Sequence, residues 1–210
     1  NDWHLDIVML SPITTKGDIR IQSGGNVRNF PTMPIATGLT LRDGGTMLNV
    51  NSITVAGNGA GLIIDNSADT TEHSGWNNSS IKYLANRVKD SAPITLMGGG
   101  IMFFGRPQID STETLGAVTL SSGQNVIASV AGAPGSSTAI GNATLTLTSL
   151  TRNDYASLNV VDRVRPDIAD NSLGRSGNYG RIMGTGALTG NMAPVNGIIP
   201  GVFSSPKTDW

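Results

Sequence analysis

The chain contains no cysteine. That excludes a disulfide scaffold, a thiolate metal site and a cysteine nucleophile. Aromatic side chains make up 5% of the 210 residues and charged ones 14%. So few rings leave little for a compact core built on large side chains, while so little charge argues against disorder. Fourteen Lys and Arg stand against fifteen Asp and Glu, and the net charge is −1. No basic field is available to draw nucleic acid or anionic lipid. No apolar run approaches the ~20 residues of a membrane-spanning helix, so this segment is not expected to insert into a bilayer.

Glycine is plentiful instead, at 27 residues, nearly double the usual share of about 7%. With abundant Ser, Thr and Asn, it gives a turn-rich, weakly charged composition suited to an all-β extracellular protein. The chain opens Asn1-Asp2-Trp3, without an initiator methionine or signal peptide, as expected of a mature or excised piece.

One phrase recurs along the chain: apolar, Thr, apolar, then a glycine-bearing turn. It reads Ile94-Thr95-Leu96-Met97-Gly98 and again Val118-Thr119-Leu120-Ser121-Ser122-Gly123, with the threonines 24 residues apart (119 − 95). In a strand, alternate side chains face opposite ways, so the apolar pair points inward and the β-branched Thr outward. A strand-and-turn phrase at that interval is the mark of a solenoid, in which each repeat buries its apolar face only against its neighbours. Earlier copies carry Thr40 and Thr54, 14 residues apart (54 − 40). That interval suits successive sides of one coil.

In chain order, residues 5–10 and 17–23 read as strands, with Ile19 and Ile21 inward. Residues 61–65 and 101–104 are apolar runs, and residues 66–80 read as a protruding loop around Trp76. Residues 81–88 allow a short helix or an irregular corner. Further strands are expected at 117–121, 125–130, 144–148 and 157–161, followed by loop over 162–182 and strand and turn from Val195 to Phe203. No capping helix is visible at either end.

Residues 84–161 resemble the autotransporter-associated β-strand repeat family of bacterial surface proteins. The resemblance is carried by NRVKDSAPITLMGGG (86–100), TETLGAVTLSSG (112–123) and LTSLTR (147–152), with NDW at the start and NGII at 196–199. It implies a secreted, structural, right-handed parallel β-helix and brings no catalytic residues. Met97, Met102, Phe103 and Phe104 depart from the smaller residues usual in the family.

Each candidate site of chemistry has a plainer reading beside it. His4 and His73 have no serine and acid partners in a catalytic pattern. Asp65, Asp69 and Glu72 could gather around calcium, but their spacing fits no calcium loop. Asp162, Arg163, Arg165, Asp167 and Asp170 read as a self-paired surface loop. Asp110 and Glu113 are a candidate acid pair for polysaccharide cleavage, with a turn as the plainer reading. Asn77, Asn78 and Asn142 match the glycosylation pattern, which is frequent by chance in such a composition.

The expectation is an all-β, right-handed parallel β-helix of ~20–25 residues per coil, with roughly eight to ten coils and a length on the order of 40–50 Å. It is read as one segment over residues 1–210, non-enzymatic, without cofactor or metal, at the bacterial cell surface. An uncapped strand edge invites pairing. As one unit of a longer array or fibre, the chain is therefore expected to stack end to end with identical or adjoining units through Asp2, Trp3, Val202, Phe203, Asp209 and Trp210, with adhesive potential. The alternatives are a glycan- or host-binding module using Trp76, and a polysaccharide-degrading enzyme.

Overall fold

The structure is a computed structural model. It describes residues 7–22, 37–66, 83–106, 109–130, 142–161, 180–186, 188, 190–196 and 198–204. Trp76, His4, His73, Asp2, Trp3, Asp209 and Trp210 lie outside the described residues, as do Asp69, Glu72, Asn77, Asn78 and the charged cluster Asp162 to Asp170.

The described residues are all-β, with a single turn of 3-10 helix at Gly190–Met192. In chain order the strands are β1 Ile7–Met9, β2 Ile19–Gln22, β3 Thr37–Leu41, β4 Ile53–Ala56, β5 Ala60–Asp65 and β6 Ile94–Met97. They continue as β7 Gly100–Phe104, β8 Ser111–Val130, β9 Ala143–Arg152, β10 Ala156–Val161, β11 Gly180–Gly184 and β12 Val202–Ser204. All twelve belong to one sheet, and every strand pairing is parallel.

Two ladders meet in β8. The first runs β1, β3, β5, β7, β8, β10, β12. The second runs β2, β4, β6, β8, β9, β11. Up to β8 the chain visits the ladders alternately, so each strand lies beside the one two places earlier. Ladder partners are unevenly spaced in sequence: Leu39 pairs with Leu62, Leu62 with Ile101, and Ile101 with Ile127. Several of these steps exceed the expected 20–25 residues because insertions separate the strands. The first ladder accordingly holds seven described strands, fewer than the expected eight to ten coils.

The repeated phrase has a direct structural meaning. Thr54, Thr95, Thr119 and Thr151 are register partners in the second ladder. Thr40 belongs to the first ladder, opposite Ile63, so Thr40 and Thr54 sit on successive sides. Behind the threonines, Ile53, Ile94 and Val118 form one buried column, and Val55, Leu96 and Leu120 another. Each such side chain contributes roughly 1.5–3 kcal/mol by leaving water.

The strand β8 changes phase along its length. Ser111, Glu113 and Leu115 are buried, then Val118 and Leu120, then Asn125 and Ile127. The first phase change falls at Gly116, where a Cβ would meet the carbonyl oxygen of Ala92 at 2.2 Å. The next follows Gly123, whose φ of 70° favours glycine. Residues 111–115 pair with 143–147, residues 117–120 with 149–152, and residues 123–128 with 156–161. One strand by pairing thus supplies three sides around the core.

The main core collects residues from both ladders, among them Leu41, Leu62, Ile94, Phe103, Leu120 and Leu145. A second cluster of Met102, Ala128, Val130 and Val161 lies apart from it, with Ile63, Phe104 and Val126 packed against it. The first ladder is therefore apolar on both faces over β5, β7, β8 and β10, which is why 61–64 and 101–104 read as unbroken apolar runs.

Two sequence expectations are corrected, and one pair of alternatives is narrowed. Residues 180–182, the end of the expected loop, belong instead to β11 on β9, because Ile182 faces the core while Arg181 and Met183 flank it. The expected separate strands at 117–121 and 125–130 are parts of one strand. Of the short helix and the irregular corner allowed at 81–88, the described residues 83–88 form no helix, and Val88 makes a parallel bridge to Met47.

Candidate functional site

Two features carry chemical information: a buried polar cluster beside β8, and the two ends of the core.

The cluster is built around Arg87, the largest of the fully buried side chains. Residues 83–93 cross from β5 to β6 without forming a strand. Their backbone pairs on one side with Met47, whose N–H donates to Arg87 O at 2.6 Å and whose carbonyl accepts from Lys89 N at 3.1 Å. On the other side Glu113 substitutes for a strand. Its Oε1 and Oε2 each accept from Arg87 N at 3.0 Å, and Oε1 accepts from Val88 N at 2.8 Å. A buried donor without a partner costs about 1–3 kcal/mol, and this carboxyl removes two such penalties. The Arg87 guanidinium donates from Nε to Asn66 Oδ1 at 2.8 Å, and from Nη1 to the carbonyls of Asp43 and Gly45 at 2.9 and 2.8 Å. Asn66 closes the surround by donating to Leu84 O at 2.9 Å. Next to it, Arg42 donates from Nε to Asp65 at 2.7 Å.

The electrostatics follow from burial. Glu113 is 0% exposed, and desolvation raises its pKa to about 8, outweighing the bonds from Val88 and Arg87 and the nearby Arg87 charge. Burial likewise lowers Arg87 from its ordinary value, against the pull of Asp65, Glu113 and Asp43. A carboxyl held neutral near pH 7 has the protonation state of a general acid. Here every described bond to it is structural, and Leu145, its register partner on β9, is fully buried.

The candidate acid pair is therefore corrected. Glu113 lies inside β8, not in a turn, whereas Asp110 is exposed and accepts from both nitrogens of Asn142 at 2.9 Å. The strand directs Glu113 inward with Leu115 two residues on. Alternation counted back from Leu115 was the available signal. Asp65, the described member of the proposed calcium trio, pairs with Arg42. Among the described residues no three His, Cys, Asp or Glu come together as metal ligands. Asn142, one of the glycosylation matches, is tied to Asp110 through its side chain.

The ends are the second feature. At the N-terminal end, Met9, Ile13, Ile19 and Ile21 pack against the core but are only partly buried, and Ile7 is 57% exposed. At the C-terminal end, Leu150, Val160, Ile182 and Val202 do the same. Val202 lies against Leu158, and Phe203 is 58% exposed opposite Asn159. The core thus thins into half-exposed apolar groups at both ends, without a polar layer across them among the described residues. One side of the C-terminal end is filled differently. Arg152 is the register partner of Leu120, and it donates to the carbonyls of Ala156 and Asn191 at 3.0 and 3.1 Å. Met192 is fully buried in the adjoining 3-10 turn. A tight turn, with Asn196 at φ 52°, exposes Val195 and Ile198.

Compared with known proteins, the chain matches no family model, no curated protein and no solved structure.

Proposed function

We propose that this chain is a right-handed parallel β-helix serving as a structural element of a bacterial cell surface or extracellular fibre, whose ends stack on identical or adjoining units. The observation that carries the reading is the character of the core's ends. Ile7, Met9, Ile13, Ile19 and Ile21 at one end, and Val160, Ile182, Val202 and Phe203 at the other, leave apolar surface partly in water. Their strands also have free edges: β1 and β12 each pair on one side alone among the described strands. Pairing across such a joint adds backbone hydrogen bonds to the burial of apolar surface.

The winding is supported by the two parallel ladders meeting in β8 and by the column of threonines. Right-handedness is the strong preference of parallel crossovers. Secretion and a bacterial surface rest on the resemblance of residues 84–161 to the autotransporter-associated repeat family. A mechanical role without catalysis agrees with a buried Glu113 whose bonds are spent on backbone.

The test is negative-stain imaging and sedimentation of the purified chain over a range of concentrations. The expected result is rods that lengthen as concentration rises. Discrete monomers at every concentration, with the fold intact, would overturn the stacking.

A further inference from the structure

We propose that Arg152 and the segment from Thr185 to Met192 form an edge guard, which keeps an incoming strand off the last rung of the second ladder at residues 149–152. The guard bears on the stacking proposed above but does not depend on it, because it excludes strands of any origin.

The inward columns of that ladder show where it stops. One runs Ile19, Ile53, Ile94, Val118, Leu150, and the other runs Ile21, Val55, Leu96, Leu120, Arg152. The second column is apolar at every earlier rung and ends on a cation. A strand laid on 149–152 in the same register would place its own inward residue against that guanidinium. The free side of β9 is covered as well. β11 pairs only with residues 143–147. Beyond it, Thr185 donates from N to Leu147 O at 3.1 Å and from Oγ1 to Thr148 O at 3.2 Å. The 3-10 turn then packs against β9, with Met192 fully buried. Arg152 fastens it: Nη2 donates to Asn191 O at 3.1 Å and Nη1 to Ala156 O at 3.0 Å, while Asn191 Nδ2 donates to Asp154 Oδ1. Gly201 closes the other side, where an added Cβ would lie 3.0 Å from Arg152 Nε and Cζ.

The arrangement costs stability. Arg152 Nε is buried without a hydrogen-bond partner, and no carboxylate pairs with this guanidinium among the described residues. An aliphatic side chain would continue the column and avoid both penalties. What the arginine provides instead is an edge that resists extension, by two of the means that blunt sheet edges generally: an inward charge and a covering loop. The opposite end of the ladder has neither. β2 turns Ile19 and Ile21 toward the core and pairs with β4 alone among the described strands. Ile19 N donates to Ser52 O at 3.0 Å, so by alternation along the strand the N–H of Arg20 faces the open edge.

The experiment is sedimentation velocity of the full chain over a concentration series, comparing wild type, Arg152→Leu, Arg20→Pro and the double variant. Arg152→Leu removes both the cation and the bonds that hold the turn. It is expected to assemble at a concentration about tenfold or more below that needed by wild type, or to assemble where wild type stays monomeric. Arg20→Pro withdraws the outward N–H of β2 and no bond to β4. Alone it should behave as wild type, because the guard already keeps β2 from pairing there; in the double variant it should cancel the gain, which mere surface stickiness would not allow. The proposal is overturned if folded Arg152→Leu assembles no more readily than wild type, if Arg20→Pro leaves that gain intact, or if Arg20→Pro alone impairs wild-type assembly. Should Arg152→Leu fail to fold, Met192→Ala, which empties the buried position in the turn, replaces it under the same criteria. If wild type stays monomeric throughout, the stacking fails while the guard still stands or falls on the variants.

Discussion

Single side chains in this protein stand in for missing backbone partners. Glu113 takes the N–H groups of Arg87 and Val88, and Asn125 does the converse at the corner after β8's second glycine. Its Oδ1 accepts from Gly98 N at 2.9 Å, while Nδ2 serves the carbonyls of Ser122, Gly123 and Ser157 at 3.0–3.1 Å. Asn125 is fully buried, so Asn125→Leu strands a donor and three acceptors where water enters with difficulty. We expect it to cost about 2–4 kcal/mol, read by chemical denaturation. Glu113 has a pH-dependent consequence for global stability. Its folded pKa lies near 8, above the ordinary carboxyl value of 4.5. Between those values the folded chain holds a proton that the unfolded chain releases. The stabilisation is therefore complete below the lower value and is lost as pH rises through the higher one. The slope reaches about 1.4 kcal/mol per pH unit at most. Denaturation midpoints should decline from mildly acidic to mildly alkaline pH, and Glu113→Gln should flatten that decline. An unchanged slope in the variant would place the dependence elsewhere.

Among the elements, β8 decides the architecture, and the glycines of β8 and of the turn after β6 act in different ways. At Gly116 the obstacle is another backbone, since an added Cβ would meet Ala92 O at 2.2 Å and Ala92 C at 2.8 Å. Backbone cannot turn aside as a flexible side chain can, so Gly116→Ala must push residues 90–92 off the strand. Gly98 presents the opposite case: φ is 75° and nothing lies within 4 Å of an added Cβ, so Gly98→Ala carries only the left-handed penalty of about 1–2 kcal/mol. Thermal denaturation of the two variants should rank Gly116→Ala as clearly the more destabilised. The same contrast explains what the sequence could reveal. Thr95 and Thr119 were legible as equivalents because only 24 residues separate them (119 − 95) and both lie between inward apolar neighbours. Thr54 pairs with Thr95 across a much longer interval, which no period exposes. The parallel partners of β11 were equally hidden, since Gly180, Arg181 and Gly184 read as loop residues. The polar cluster was illegible for a different reason. Arg87 and Asn66 come from irregular segments, and only the tertiary path brings them to Glu113. Alternation through Thr112, Glu113, Thr114 and Leu115 held the one available clue, and Gly116 obscured it by ending the phase.

At the scale of the molecule, the question is what a parallel ladder does at its ends. Antiparallel sheets can fold back on themselves through hairpins, whereas a parallel ladder keeps adding strands of the same direction. Both ladders do so here, and the first ends in strands of three residues, β1 and β12. Because the described strands all pair in parallel, an N-terminal end meets another N-terminal end only with its strands opposed, while head-to-tail contact preserves the parallel pairing of the two ladders. Head-to-tail contact is heterologous, and a heterologous contact that does not close produces a filament. In the proposed stacking, the side occupied by Arg152 and the 3-10 turn would leave the edges of β12 and β11 for the joint. Charge placed at the joint should then prevent stacking without harming the fold. Ile7→Lys and Phe203→Lys alter exposed side chains at opposite ends, and each should abolish the growth of rods with concentration while leaving the denaturation midpoint within about 0.5 kcal/mol of wild type. Met97→Lys, on an exposed position of β6 within the second ladder, is the control for added charge alone and should still assemble. Mixing the two end variants adds a sharper expectation: each retains one intact end, so equimolar Ile7→Lys and Phe203→Lys should form pairs joined through their unaltered ends and stop there. Rods that lengthen in the mixture, or in either variant alone, would show that the contact lies elsewhere on the molecule.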